Sequence, residues 1–282
     1  MLHLPEAEEP AGLNAFPVFY WNHAGLQLNR IATSLQGPQG GPTMGSRALG
    51  LLQLAMHDAF FGVMQPDLAY LPDIGQPAGP IPAGPGRLAY ANAALSGAAV
   101  TMLTTLYGAP GANIPRTAST ALRGELDALI RAFDPPLRVL DPSFTFGATV
   151  ARAIFQLLGV KPGEIGADAG PYQPGPGRYK FRDEPLNPVR LQPLDPDHPE
   201  RGMRAVRIYH GPFYGTSVPA FAVTDPEGHA LARPPVGNAT YDAAVAEVIR
   251  LGGGPGLPGT DRTPDETVSA YYWAYDGSNL IG

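Results

Sequence analysis

The 282-residue sequence contains no cysteine. That absence excludes disulfide bridges, thiolate metal centres and cysteine nucleophiles together. A basic stripe is missing too: 19 Lys and Arg stand against 25 Asp and Glu, for a formal charge of −6. The cations, among them Arg30, Arg47, Arg87, Arg116, Arg123 and Arg131, are scattered along the chain, so the electrostatic footprint of a nucleic-acid binder is not there. No apolar run approaches the ~20 residues needed to cross a bilayer. The N-terminal stretch MLHLPEAEEPAGLNAF is acidic where a secretory leader requires a positive and then an apolar region. Neither a membrane partner nor export is expected, which leaves the cytoplasm as the default compartment.

Hydrophobic residues make up 44% of the chain, enough for a substantial core. Glycine (35) and proline (33) together approach roughly a quarter of the residues, close to a low-complexity level, so their distribution is decisive. Apolar residues recur at helical spacing through Val18, Trp21, Leu28, Ile31 and Leu35, and again through Leu49, Leu52, Met56, Phe60 and Val63. A third stripe runs through Leu88, Ala91, Leu95, Ala98, Met102 and Leu106, with small residues that admit a close neighbour. A fourth covers 118–133. The fifth is fully punctuated: Asp141 caps, Pro142 opens and Gly159 closes. Residues 1–159 are therefore expected to form an N-terminal helical bundle.

Fourteen of the 33 prolines fall between 160 and 236, a span with no sustained period and too long for an ordinary connection. Its rings and short apolar runs predict an ordered, extended Pro/Gly-rich arm that wraps the bundle. Residues 237–282 return to helix: 240–251 turns Tyr241, Val245, Val248 and Ile249 inward, and Thr263-Pro264-Asp265-Glu266 starts another helix. The rings that follow, Tyr271, Tyr272, Trp273 and Tyr275, need cover from elsewhere.

Candidate chemistry is sparse. His57-Asp58 could share a metal ion, but the other histidines (His3, His23, His198, His210, His229) supply no ligand spacing, so a packed or capping histidine is favoured. GPQGGPTMGS precedes a helix like an anion cradle, yet lacks the lysine of a phosphate loop, and Thr43 or Ser46 is expected to cap that helix. Asp183, Glu184, Asp195, Asp197 and Glu200 read as solvated charges of the arm, with no acid/base pair fixed by spacing.

The stretches YWNHAGLQLNRIATSLQGPQGGPTMGSRALGLLQLAMHDAFFGV, GPGRYKFRDEPLNPV, RIYHGPFYG and YYWAYDGSNLIG, in this order, closely resemble the N-terminal half of the vanadium-dependent haloperoxidases, chiefly the fungal-type chloroperoxidase and its bacterial relatives. The resemblance implies a mainly α-helical fold of two four-helix bundles. It also implies vanadate at one end of the second bundle and oxidation of halide by hydrogen peroxide to hypohalous acid. Thiols are readily lost to such oxidants, so the absence of cysteine is compatible with this chemistry, although drift explains it more simply.

In the family, the segment similar to YYWAYDGSNLIG continues into helices that carry a lysine and an arginine, then a Ser-Gly-His segment, then a second arginine and the vanadium-bound histidine. No such segments occur here, and Glu227-Gly228-His229-Ala230 lacks the serine and lies upstream of the family's position. The expectation is that this chain alone holds no catalytic, cofactor-binding or metal residue. Vanadate belongs to the full-length family member, and the partner is a C-terminal catalytic half from the same gene or a separate chain. One residue carries over: Asp276 matches an aspartate that supports a vanadate-binding arginine of that half. A plain helix-turn aspartate before Gly277 is the alternative for it. For the whole chain, the alternatives are a stand-alone or two-chain interaction module, or the N-terminal part of a related acid phosphatase.

Overall fold

The computed structural model describes residues 16–35, 37–40, 42–74, 77, 79–108, 114, 116–159, 176, 190–195, 197–206, 219–221, 223, 225, 228–229, 234–252 and 259–274. The fold is mainly helical. The chain divides into two compact units, Met1–Glu184 with Pro188–Phe221, and Pro185–Asn187 with Ala222–Gly282.

Five helices build the first unit: α1 (Pro17–Ser34), α2 (Pro42–Met64), α3 (Pro85–Tyr107), α4 (Arg116–Ala132) and α5 (Pro142–Leu158). Four of the five open on proline, whose fixed φ suits the first helical position and whose missing N–H costs nothing there. On α5 the Asp141 carboxylate accepts from the Ser143 backbone N–H at 2.9 Å, as its sequence punctuation implies. The start of α2 differs from expectation. Pro42 begins the helix, so Thr43 and Ser46 lie inside its first turns and not at the N-cap position.

The apolar stripes do meet. Tyr20, Trp21, Ala24, Leu28 and Ala32 of α1 are buried with Leu51, Leu52, Ala55, Met56 and Ala59 of α2 in one cluster. Helix α3 packs against all four of the others. Its approach to α5 is the closest in the bundle. A Cβ added at Gly147 would lie 1.7 Å from the Ala94 carbonyl oxygen, and one at Gly97 would lie 2.2 Å from that of Phe144. The two backbones are in direct contact there, which only glycine permits.

Three buried or part-buried side chains of this core find partners across it. Trp21 Nε1 donates to Ser96 Oγ at 3.0 Å, Ser96 donates to the Asn92 carbonyl, and Tyr20 OH donates to the Leu129 carbonyl at 2.6 Å. Tyr20, Trp21 and Phe133 form a ring cluster with centroids 4.9–5.1 Å apart.

Of the expected arm over 160–236, the greater part lies outside the described residues. Within it, β1 (Arg190–Pro193) and β2 (Met203–Val206) pair antiparallel, with Arg190 opposite Val206 and Pro193 opposite Met203. The connection between them is tied to the bundle. Asp197 accepts from the Arg116 backbone N–H at 2.9 Å and pairs with its guanidinium at 3.1 Å.

The second unit contains α6 (Ala239–Leu251), capped by Asn238, and α7 (Pro264–Ala274). The inward face expected for α6 is not buried: Val248 and Ile249 are each 71% exposed, and no residue of the helix is buried. An amphipathic stripe specifies a face, but burial requires an opposing surface, and α6 finds none among the described residues of its unit. Each large apolar side chain left in water forgoes roughly 1.5–3 kcal/mol.

A methyl group at position 147 must push α3 and α5 apart. Gly147→Ala is therefore expected to destabilise the chain by about 3 kcal/mol or more in urea unfolding. Gly124→Ala is the control: nothing lies within 4 Å of its Cβ in the middle of α4, and the change should instead add roughly 0.5–1 kcal/mol.

Candidate functional site

Asp58 is the buried carboxylate of the described residues, 2% exposed near the end of α2. Burying a charge is costly unless hydrogen bonds replace its water. Here the Tyr70 and Leu71 backbone N–H groups each donate to it at 2.8 Å, and His57 Nδ1 lies 3.0 Å from Oδ1. The carboxylate thus pins the segment after α2, where 3-10 turns at Pro66–Leu68 and Pro72–Ile74 carry the chain toward α3. His57 is half-exposed, with its ring 4.6 Å from that of Phe61. The pair is a structural anchor. No group of three or more metal-ligating side chains gathers among the described residues. The hollow beside Asp58, lined by Gly62, Pro66, Leu71, Phe146 and Val150, measures about 10 Å³, room for one water at most.

The glycine-rich loop between α1 and α2 is turned inward as well. The Gly37 N–H donates to the Ala32 carbonyl at 2.7 Å and the Gly40 N–H to Gly37 at 3.3 Å, so these donors serve the turn. Asn29 reaches across to the Gln39 carbonyl and to Tyr107 OH. Burial pushes the Tyr107 phenol up to about 12, with the Asn29 hydrogen bond acting weakly the other way. Among the described residues, the Gly37 and Gly40 N–H groups close this turn and are not free to cradle an anion.

Of the acidic residues read as solvated arm charges, Asp183 and Glu184 lie outside the described residues. Asp195 pairs with Arg201 at 2.7 Å, Glu200 with His198 at 2.9 Å, and Asp197 with Arg116. The Asp197 backbone N–H holds the Asp195 carboxyl below its ordinary range. In the Glu227-Gly228-His229-Ala230 stretch, Gly228 donates to Asp225 Oδ1 at 2.9 Å, a local side-chain turn.

Asp276, the one residue carried over from the family resemblance, lies outside the described residues. What leads toward it is well built. Thr263 and Glu266 cap α7 reciprocally: the Glu266 carboxylate accepts from Thr263 N at 2.8 Å and Thr263 Oγ1 at 2.9 Å, while Glu266 N donates back to Thr263 Oγ1 at 3.2 Å. These bonds, chiefly the backbone one, hold the Glu266 carboxyl below its usual range. The turn before it is tied to α6 by Asp261 N to the Arg250 carbonyl at 3.1 Å and Thr260 Oγ1 to the Leu251 carbonyl at 3.0 Å. Tyr272 on α7 is exposed.

Sequence reading missed the roles of Arg47 and Arg87. Arg87 donates through Nε and Nη2 to the Val63 carbonyl at 2.9 and 2.6 Å, closing the end of α2. Arg47 bonds the Leu158 and Pro219 carbonyls. Neither has a local signal, because each partner is remote in sequence.

No helix among the described residues is long and apolar enough to cross a membrane. The family described as Vanadium chloroperoxidase N-terminal domain matches residues 4–219. The vanadium chloroperoxidase of Curvularia inaequalis is 41% identical over 296 aligned residues, a match covering 99% of this chain and 48% of that protein. The chain thus spans about half the length of the curated relative it matches.

Removing the Asp58 acceptor strands two buried N–H groups, so Asp58→Ala is expected to lower stability by at least about 2 kcal/mol in chemical denaturation. His57→Ala, at the exposed edge, should cost no more than about 1 kcal/mol. For Glu266 the folded pKa is depressed, so its contribution to α7 is present above the unfolded carboxylate value and lost as pH falls through the lower folded one. Amide exchange in the first turn of α7, corrected for intrinsic rates, should accelerate over that window in the parent and stay flat in Glu266→Gln.

Proposed function

Because this chain belongs to the vanadium chloroperoxidase family, we propose that it is the N-terminal half of a vanadium-dependent haloperoxidase, which oxidises halide with hydrogen peroxide to hypohalous acid. The observation that carries this reading is the 41% identity running through 99% of the chain against 48% of the relative. A match of that extent to a vanadium chloroperoxidase favours halide oxidation over the phosphatase and stand-alone readings.

The partners of several guanidinium groups among the described residues support placing a bound oxyanion elsewhere. Such a site needs several cationic and N–H donors converging on one point. Here Arg47 and Arg87 bond carbonyls at helix ends, Arg123 reaches the Gly108 carbonyl, Arg116 and Arg201 pair with Asp197 and Asp195, and Arg250 stands 3.6 Å from Asp261. These guanidinium groups serve the fold. We therefore assign vanadate and its donors to a C-terminal half, encoded in the same gene or brought by a separate chain. The role of this polypeptide is scaffold. Asp276 contributes one carboxylate, holding an arginine of that half in a bidentate pair and so orienting it.

Three measurements test this. The purified chain with vanadate, hydrogen peroxide and bromide is expected to show no halogenation. Addition of a polypeptide carrying the Ser-Gly-His segment and both arginines should restore it. In the reconstituted enzyme, Asp276→Ala should weaken vanadate binding by about 10- to 100-fold. Unaided turnover of bromide would overturn the division of labour. A reconstituted enzyme that hydrolyses phosphate esters and leaves halide untouched would overturn the assignment of the reaction.

A further inference from the structure

The Arg47 guanidinium sits where two distant parts of the first unit come together. Its Nη2 donates to the carbonyl of Leu158, the last residue of α5, and at 2.6 Å to the carbonyl of Pro219. The guanidinium carbon lies 4.5 Å from the centroid of the Phe221 ring. That ring rests on α2 at Gly50, where an added Cβ would come within 2.8 Å of Phe221 Cε2. Phe221 is also the last residue of the first unit.

We propose that Arg47 is a clasp that closes the whole span from Leu158 to Pro219 into a loop with both ends held at one point on α2. The C-terminal carbonyl of a helix carries partial negative charge and lacks an intrahelical partner. A guanidinium satisfies it and retains donors for a second carbonyl in the same plane, which a lysine ammonium with its compact charge cannot match. The Phe221 face adds a cation–π contact, and the glycine at position 50 makes room for the ring.

Two consequences follow. The two ends of the span are fixed to α2 by one side chain, while Asp197 within it makes a separate tie to Arg116 of α4. Phe221, the last residue of the first unit, is positioned on α2 through Arg47 and Gly50.

The absence of cysteine makes the test direct. Leu157→Cys and Ala220→Cys put thiols at exposed positions on the two sides of the clasp. A short bifunctional thiol reagent then reads their proximity in the full chain. Linking is expected to be rapid in the doubly substituted chain. Adding Arg47→Ala should slow it about tenfold, since hydrogen bonds to a charged group hold the two ends together. Gly50→Ala displaces the ring and leaves the guanidinium, and should slow linking about threefold. Should Arg47→Ala lose its cooperative melting transition, Gly50→Ala carries the test. Linking at the parent rate in a folded Arg47→Ala chain, or in Gly50→Ala where the arginine variant does not fold, overturns the clasp.

Discussion

The bundle depends on a backbone contact. At Gly97 and Gly147 helices α3 and α5 approach until carbonyl oxygens occupy the space where side chains would stand. Van der Waals attraction is short-ranged, so this closeness brings Ala94, Ala98 and Ala151 into dense contact. Because α3 touches every other helix of the unit, its position against α5 sets the spacing of the rest. The wide side chains then fill the periphery of that crossing: Trp21 and Tyr20 on one side, Met102, Leu103 and Leu106 along α3.

Charge in this fold is used for placement. Asp58 holds the exit from α2, Asp141 caps α5, Arg87 closes α2, and Arg116 with Asp197 ties the hairpin to α4. Each of these ties pairs a side chain with at least one backbone group. A polypeptide that spends its ionic groups in this way is suited to be a scaffold, which agrees with its proposed place as the N-terminal half of an enzyme whose anion chemistry is assigned to the other half.

The helices were legible because their signals are local. Proline at the first position and glycine after the last bracket an apolar stripe of helical period, and α5 from Pro142 to Leu158 carries all three. The start of α2 was misjudged for a related reason: Thr43 and Ser46 are good caps in isolation, but Pro42 is a better first residue, and it begins the helix earlier. The stripe on α6 was read correctly as a face and wrongly as a buried one. Periodicity reports which side chains share a side, and nothing about what stands opposite. For the site, the sequence pointed to Asp276 only through family resemblance; that residue lies outside the described part, so its role rests on the proposal. The anchoring role of Asp58 was invisible because its partners are backbone N–H groups, which every sequence contains.

By itself, then, the order of residues determined the helical class, the positions of the helices in the bundle and the family, since all three rest on patterns a few residues long or on matched segments. Tertiary structure alone decided which glycines sit at a crossing, which arginine closes which helix, and which carboxylate is buried. Those outcomes depend on distances between groups far apart in the chain, and such distances exist only once the helices have packed.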